Sequence, residues 1–188
     1  MKNSEYFKLL LSFSNEKRTK GTKVLSIVFG VVIFMIIAPV FFYIVGEWLK
    51  QYIYIPLPPV IKYVAGIFGI VAGIFFLVWA MVVQWKIGNG TPNPYAPTQR
   101  LIVQGPFKLC RNPIELGAIL YYFGTGILFS SLLTGLLGFT LAFIIGSLYH
   151  KIVEEKELEE RFGEEYRQYR RETPFIIPKI SVKKKKKD

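Results

Sequence analysis

Three long stretches of this chain carry no charge, and water gives such stretches few ways to fold. Residues 24–46 and 63–85 each run 23 residues without Asp, Glu, Lys or Arg, and residues 116–149 run 34. At a rise of about 1.5 Å per residue, 23 residues make a helix of about 34 Å, enough to cross a hydrocarbon core of about 30 Å. The third stretch would be about 51 Å long as one helix, far beyond the bilayer. Ser130-Ser131 near its middle predicts two shorter helices joined by a tight hairpin. The fold class that follows is an all-α polytopic membrane bundle of about four transmembrane helices, with spans near 24–46, 63–85, 114–130 and 132–149. Pro39 predicts a kink in the first span, which neighbouring helices tolerate in lipid. Pro56-Leu57-Pro58-Pro59 predicts a rigid turn before the second.

The formal net charge is +11, with 24 Lys and Arg against 13 Asp and Glu. A nucleic-acid binder spreads such charge along its chain; here it sits in blocks between the apolar runs, so no nucleic-acid partner is expected. Lys and Arg in short loops set orientation. Six lie in residues 1–23, four in the 86–113 loop (Lys86, Arg100, Lys108, Arg111) and twelve from Lys151 onward, against Lys50 and Lys62 alone on the other face. Both termini and the 86–113 loop are therefore expected on the cytoplasmic side of an integral membrane protein. Cys110 and His150 are each the single residue of their type. An intrachain disulfide, a cysteine cage and a histidine-rich metal site are excluded, and no metal is expected. Leu9-Leu10-Leu11 is too short for the apolar region of a cleavable signal.

Residues 1–23 read as an amphipathic cytoplasmic arm, with Tyr6, Phe7, Leu9 and Phe13 between charges, suited to lying in the interface. Residues 24–178 form the membrane domain and 179–188 a polybasic tail. Its run Lys183–Lys187 can attract anionic lipid at about 1 kcal/mol per Lys, or simply be solvated. Small residues at four-residue spacing, Ala65, Gly69 and Gly73, then Gly138, Ala142 and Gly146, let transmembrane backbones approach closely.

Chemistry belongs to the charged side. The 86–113 loop is dense in Pro and Gly, which fix its backbone and present N–H and C=O groups to a ligand. Arg111 and Glu115 flank the entry to the third span. A carboxylate there calls for a partner or a function, and Arg111 at i−4 is one candidate partner. Residues 150–172 continue the fourth span as an amphipathic cytoplasmic helix, its stripe Leu158, Phe162, Tyr166 and Tyr169, with Glu157 and Arg161 on the solvated face. Glu154-Glu155 sits where that helix leaves the membrane, level with Arg111. Groups of both signs at one mouth match a zwitterionic cofactor carrying a carboxylate and an ammonium, beside a lipophilic partner.

Leu101-Ile102-Val103-Gln104-Gly105-Pro106-Phe107, then Arg111-Asn112-Pro113 and Gly117, resembles the isoprenylcysteine carboxyl methyltransferase and phospholipid methyltransferase superfamily. So does Glu154-Glu155 followed by Leu158, Phe162-Gly163, Tyr166 and Tyr169. The resemblance implies methyl transfer from S-adenosylmethionine to a lipophilic acceptor, either a prenylcysteine-like carboxylate or a lipid head group. It implies that Arg111, Asn112, Pro113, Glu154 and Glu155 hold the cofactor, with the backbone at Val103, Gln104 and Gly105 on its adenosine side. Arg111 and Glu115 are the expected catalytic residues, Glu115 as an acceptor-side base or head-group selector. Three positions depart from the family pattern: Asn112 stands where His is frequent, Glu115 where Tyr is common, and Phe175 where an Arg precedes the last hydrophobic-Pro element. These bear on the acceptor rather than on the methyl donor. The alternatives are an NADPH-dependent membrane lipid reductase, whose polyanionic cofactor the paired glutamates disfavour, and a non-catalytic membrane scaffold.

Overall fold

The computed structural model of the protein describes residues 5–15 and 18–179; the run Lys183–Lys187 lies outside them. Helix α1 is Glu5–Asn15, α2 Lys20–Lys50, α3 Pro59–Lys86, α4 Pro113–Phe129, α5 Leu132–Tyr149 and α6 Glu155–Glu172, with a π turn at His150–Glu154 joining the last two. There is no strand among the described residues, as the apolar runs require. By length and composition α2, α3 and the helical run Leu132–Glu172 suffice to cross a membrane. With 17 residues, α4 reaches about 26 Å, so it is the short member of the expected hairpin. Ser130 and Ser131 make the turn, and Ser131 Oγ caps α5 by accepting from Thr134 N at 3.2 Å.

Glycine brings α3 and α4 to backbone contact. A Cβ on Gly69 would lie 2.8 Å from Gly124 Cα, and one on Gly73 2.6 Å from Tyr121 N. The face is Gly66, Gly69 and Gly73 rather than Ala65, Gly69 and Gly73, because Gly66 is the buried one and meets Leu128 and the Gly124 carbonyl. On α5, Gly135 packs on Gly126 and Ile127, and Gly138 on Tyr122 and Phe42.

Pro39 acts through a π turn at Val32–Ile37. Ala38 N–H donates back to Ile33 O, and Pro39 has no N–H to offer. The carbonyls of Phe34 and Met35 are thereby released inside the bundle. Tyr122 OH donates to Phe34 O at 2.8 Å and Tyr121 OH to Met35 O at 3.0 Å, so α4 supplies what the proline removed. Elsewhere α2 turns Leu25, Phe29, Phe34 and Ile44 outward, as a helix solvated by lipid does.

The two ends of the bundle differ. At one, Glu47 pairs with Lys50 at 2.9 Å, accepts from Ser130 Oγ at 2.5 Å, and Lys62 Nζ donates to Ser130 O at 3.1 Å. Exposed Trp48, Tyr52, Tyr54 and Tyr63 surround this clamp, residues of the kind that line a membrane interface. At the other end α1, the start of α2, residues 87–112 and residues 150–179 come together. Lys23 Nζ donates to Asn89 O and Oδ1 at 2.6 and 2.7 Å, and Ser26 Oγ meets Thr91 Oγ1 at 3.1 Å, so the loop is a folded plug. Arg18 lies 4.5 Å over the Tyr95 ring, which Phe13 of α1 also meets edge-on.

Beyond His150 the chain departs from one straight amphipathic helix. Gly163 has φ +55° and ψ −125°, a conformation that only glycine adopts cheaply. Arg170 Nη1 and Glu159 Oε2 are 3.1 Å apart; along a straight helix their backbones would be about 16 Å apart, so the chain bends back. The expected stripe is split at this point, with Tyr166 and Tyr169 buried after the break and Leu158 and Phe162 half-buried before it. Glu157 and Arg161 are also not on a solvated face. Glu157 is buried, the pair closes at 2.9 Å, and Arg161 donates to Thr98 O, which ties α6 to the plug.

Tyr122→Phe removes one interhelical hydrogen bond, a loss of about 0.6–1.7 kcal/mol in a membrane protein. Gly124→Ala forces backbone apart and should cost more, about 1–3 kcal/mol, whereas Gly30→Ala enters open space. Thermal unfolding in detergent should therefore rank Tm as Gly30→Ala near the parent, Tyr122→Phe lower and Gly124→Ala lowest.

Candidate functional site

Arg111 precedes Pro113, the first residue of α4, so its side chain is not carried on the helical face that bears Glu115. That geometry separates the two residues expected to pair. Arg111 Nη2 lies 3.0 Å from Glu155 Oε1, both largely buried, and Glu115 turns instead toward His150. The paired glutamates divide accordingly. Glu155 meets Arg111, while Glu154 is hydrogen-bonded to His150 Nδ1.

A strap closes over this end. Residues 173–179 cross residues 109–112, with Arg111 N donating to Pro174 O (2.9 Å), Asn112 N to Phe175 O (3.2 Å) and Lys179 N to Leu109 O (2.8 Å). Asn112 Nδ2 also donates to Phe175 O at 3.0 Å, so its amide is engaged in holding the strap. The Phe175 ring lies 5.6 Å from the Arg111 guanidinium, 5.1 Å from Lys151 Nζ and 6.5 Å from the imidazole of His150. Beneath, Tyr169 OH donates to Phe107 O at 2.6 Å, which fastens α6 to the 3₁₀ turn Gly105–Lys108.

The loop residues expected on the adenosine side lie toward α3. Gly105 takes φ +60° and faces Val83 and Trp79, and Val103 and Gln104 are exposed. Among the described residues, no hydrogen bond or ion pair joins Val103, Gln104 or Gly105 to the Arg111–Glu155 pair.

Buried side-chain atoms without a hydrogen-bond partner collect at this end: Gln84 Oε1, Arg111 Nε and Nη1, Glu115 Oε1, Ser147 Oγ and Glu155 Oε1. The Arg111–Glu155 contact is close but off-line, which is why Glu155 Oε1 is among them. Orphaned buried polar atoms are rare and costly, about 1–3 kcal/mol each. Here they comprise donors on a cation beside acceptors on carboxylates. That set fits a ligand bearing both a carboxylate and an ammonium, the chemistry of a methionine moiety.

His150 was dismissed by sequence reasoning because one histidine makes no metal site. Its setting is nevertheless built: Gly146, one turn earlier on α5, has no Cβ where one would fall on the Glu115 carboxylate. The π turn at His150–Glu154 that carries this histidine also leaves no trace in composition or periodicity. Such turns are frequent at functional sites.

A family model described as phospholipid methyltransferase matches residues 61–165, from the first turns of α3 to just past the Gly163 break. No curated protein and no solved structure matches the chain.

Cys110, inside the strap crossing, reports on closure. Burial pushes its thiol up to about 11, and only the thiolate is nucleophilic, about one molecule in a thousand at pH 8. Iodoacetamide should label the folded protein slowly at pH 8 and the unfolded protein fast. Rapid labelling at pH 8 without unfolding would show the strap to be open.

Proposed function

The chain belongs to the phospholipid methyltransferase family, and on that premise we propose that it transfers a methyl group from S-adenosylmethionine to a lipid head group at the Arg111–Glu155 end of the bundle. The observation that carries this reading is the convergence of buried Arg111 donors that make no hydrogen bond with a buried Glu155 oxygen that is ion-paired to Arg111 but accepts no hydrogen bond. Arg111 Nε and Nη1 would donate to the cofactor carboxylate and Glu155 would accept from its ammonium, with the loop at Val103, Gln104 and Gly105 taking the adenosine side. Asn112 and Pro113 act by position, the amide clamping the strap and the proline starting α4. When bound, the cofactor supplies an electrophilic methyl on a sulfonium. The protein's share is to align the acceptor within about 3–3.5 Å and keep water out, tasks for the strap and the plug.

Glu115 discriminates between the two acceptor classes. A carboxylate acceptor beside it would suffer like-charge repulsion, about 4 kcal/mol at 4 Å in an effective dielectric of 20. A head-group ammonium is attracted instead, and must lose a proton before its nitrogen can attack; Glu115 Oε1, buried and without a donor, is placed to take it. We therefore favour an amine head group. The charge bias of the loops supports a cytoplasmic location for this end, where the cofactor is supplied, with lipid arriving laterally.

Calorimetry in mild detergent with S-adenosylhomocysteine, and NADPH in parallel, tests the donor. Saturable binding of the first alone is expected. Arg111→Ala and Glu155→Ala should weaken it at least tenfold, about 1.4 kcal/mol, and Lys183→Ala should leave it unchanged. Binding of NADPH alone, or pocket variants that bind as the parent does, would overturn the reading.

A further inference from the structure

Methylation of an amine leaves one proton to be removed, and beside the Arg111–Glu155 pair proposed for the cofactor the bundle carries a row of ionisable groups. Glu115, in the first turn of α4, rests its carboxylate on the bare backbone of Gly146. His150 Nε2 stands 3.6 Å from Glu115 Oε2, and His150 Nδ1 is hydrogen-bonded to Glu154. Side-chain exposure rises along the row, from 11% at Glu115 through 16% at His150 to 35% at Glu154. The row thus begins at a buried oxygen lacking a donor and ends at its most exposed carboxylate. Around the imidazole stand the Tyr149 ring at 5.8 Å and the Phe175 ring at 6.5 Å, and Lys151 and Arg111 contact that same Phe175 ring. Glu155 is held apart by Arg111.

We propose that Glu115, His150 and Glu154 form a proton-release path in which His150 relays to Glu154 the proton that Glu115 takes from the acceptor nitrogen. The inference rests on the amine-acceptor reading above. Per turnover one proton leaves the nitrogen, the N–H electron pair stays behind to form the new N–C bond, and the methyl's bond to sulfur breaks with its pair returning to sulfur. Glu115 passes the proton to Nε2, Nδ1 releases one to Glu154, and Glu154 yields it to water. Imidazole suits the middle position because it takes a proton on one nitrogen and gives one from the other. A gap of 3.6 Å is of the length such contacts show before substrate tightens them. Glu115 is the catalytic residue and His150 a positioning and relay residue behind it.

Because His150 is the chain's single histidine, histidine-labelled protein in nanodiscs gives one imidazole to titrate by NMR. A carboxylate within about 4–6 Å favours the charged ring, so Glu115→Gln should lower the His150 midpoint by about a unit; an unmoved midpoint overturns the path. Methyl transfer to phosphatidylethanolamine vesicles supplies the second readout. His150→Gln should bind S-adenosylhomocysteine as the parent does, yet lose about 100-fold in kcat and change its pH profile, and added imidazole should restore part of the rate in His150→Ala. Parental kcat and pH profile in His150→Gln would overturn the relay while leaving the amine reading intact. A parent protein that binds S-adenosylhomocysteine but methylates no amine head group at any pH would overturn the amine reading, and the relay with it.

Discussion

Apolar side chains gain nothing by leaving lipid for one another, so helices in a bilayer are held by close packing and by polar groups that lipid cannot satisfy. Both kinds of hold meet on α4 in this protein. One face of α4 presents Gly117 and Gly124 to the glycines of α3 at backbone distance. Tyr121 and Tyr122 give their hydroxyls to the two carbonyls that the π turn and Pro39 release in α2. At 17 residues α4 is too short to be fixed by length alone, and these contacts fix its height and rotation instead. Its first turn carries Glu115 and the residues before it include Arg111, so the register of α4 is also the register of the site.

The functional end is then assembled from pieces far apart in sequence. The π turn brings His150 to Glu115 and Glu155 to Arg111. The Gly163 break returns the chain so that Tyr169 reaches Phe107 and the strap 173–179 crosses residues 109–112. The opposite end, with Glu47, Lys50, Lys62 and Ser130, is a clamp with its polar groups paired. The contrast is informative: one end satisfies its polar atoms internally, and the other leaves buried atoms of Arg111, Glu115 and Glu155 without a hydrogen bond.

Much of this was legible in the sequence. Uncharged runs located the helices to within a few residues, and Ser130-Ser131 marked the hairpin. The proximity of Arg111 to the paired glutamates followed from their shared level at one membrane face. What pattern could not supply was partner choice. Arg111 was matched to Glu115 by helical spacing, but Pro113 begins the helix between them and leaves Arg111 to Glu155. Glu157 and Arg161 looked solvated because surface charge is the common case, and only the plug covering them makes them buried. The stripe from Leu158 to Tyr169 assumed a straight helix, which a positive φ at Gly163 interrupts. His150 carried no weight as a lone residue; its meaning lies in what Gly146 makes room for.

The central claim is that the methyl donor sits between the 103–113 segment and the start of the chain beyond His150. Ultraviolet cross-linking of radiolabelled S-adenosylmethionine to the purified protein, followed by peptide mapping, tests it most directly. Label in peptides containing Val103–Glu115 or His150–Glu155, suppressed by excess S-adenosylhomocysteine, is the predicted result. Suppressible label confined to α2 or to the clamp around Glu47 would contradict it.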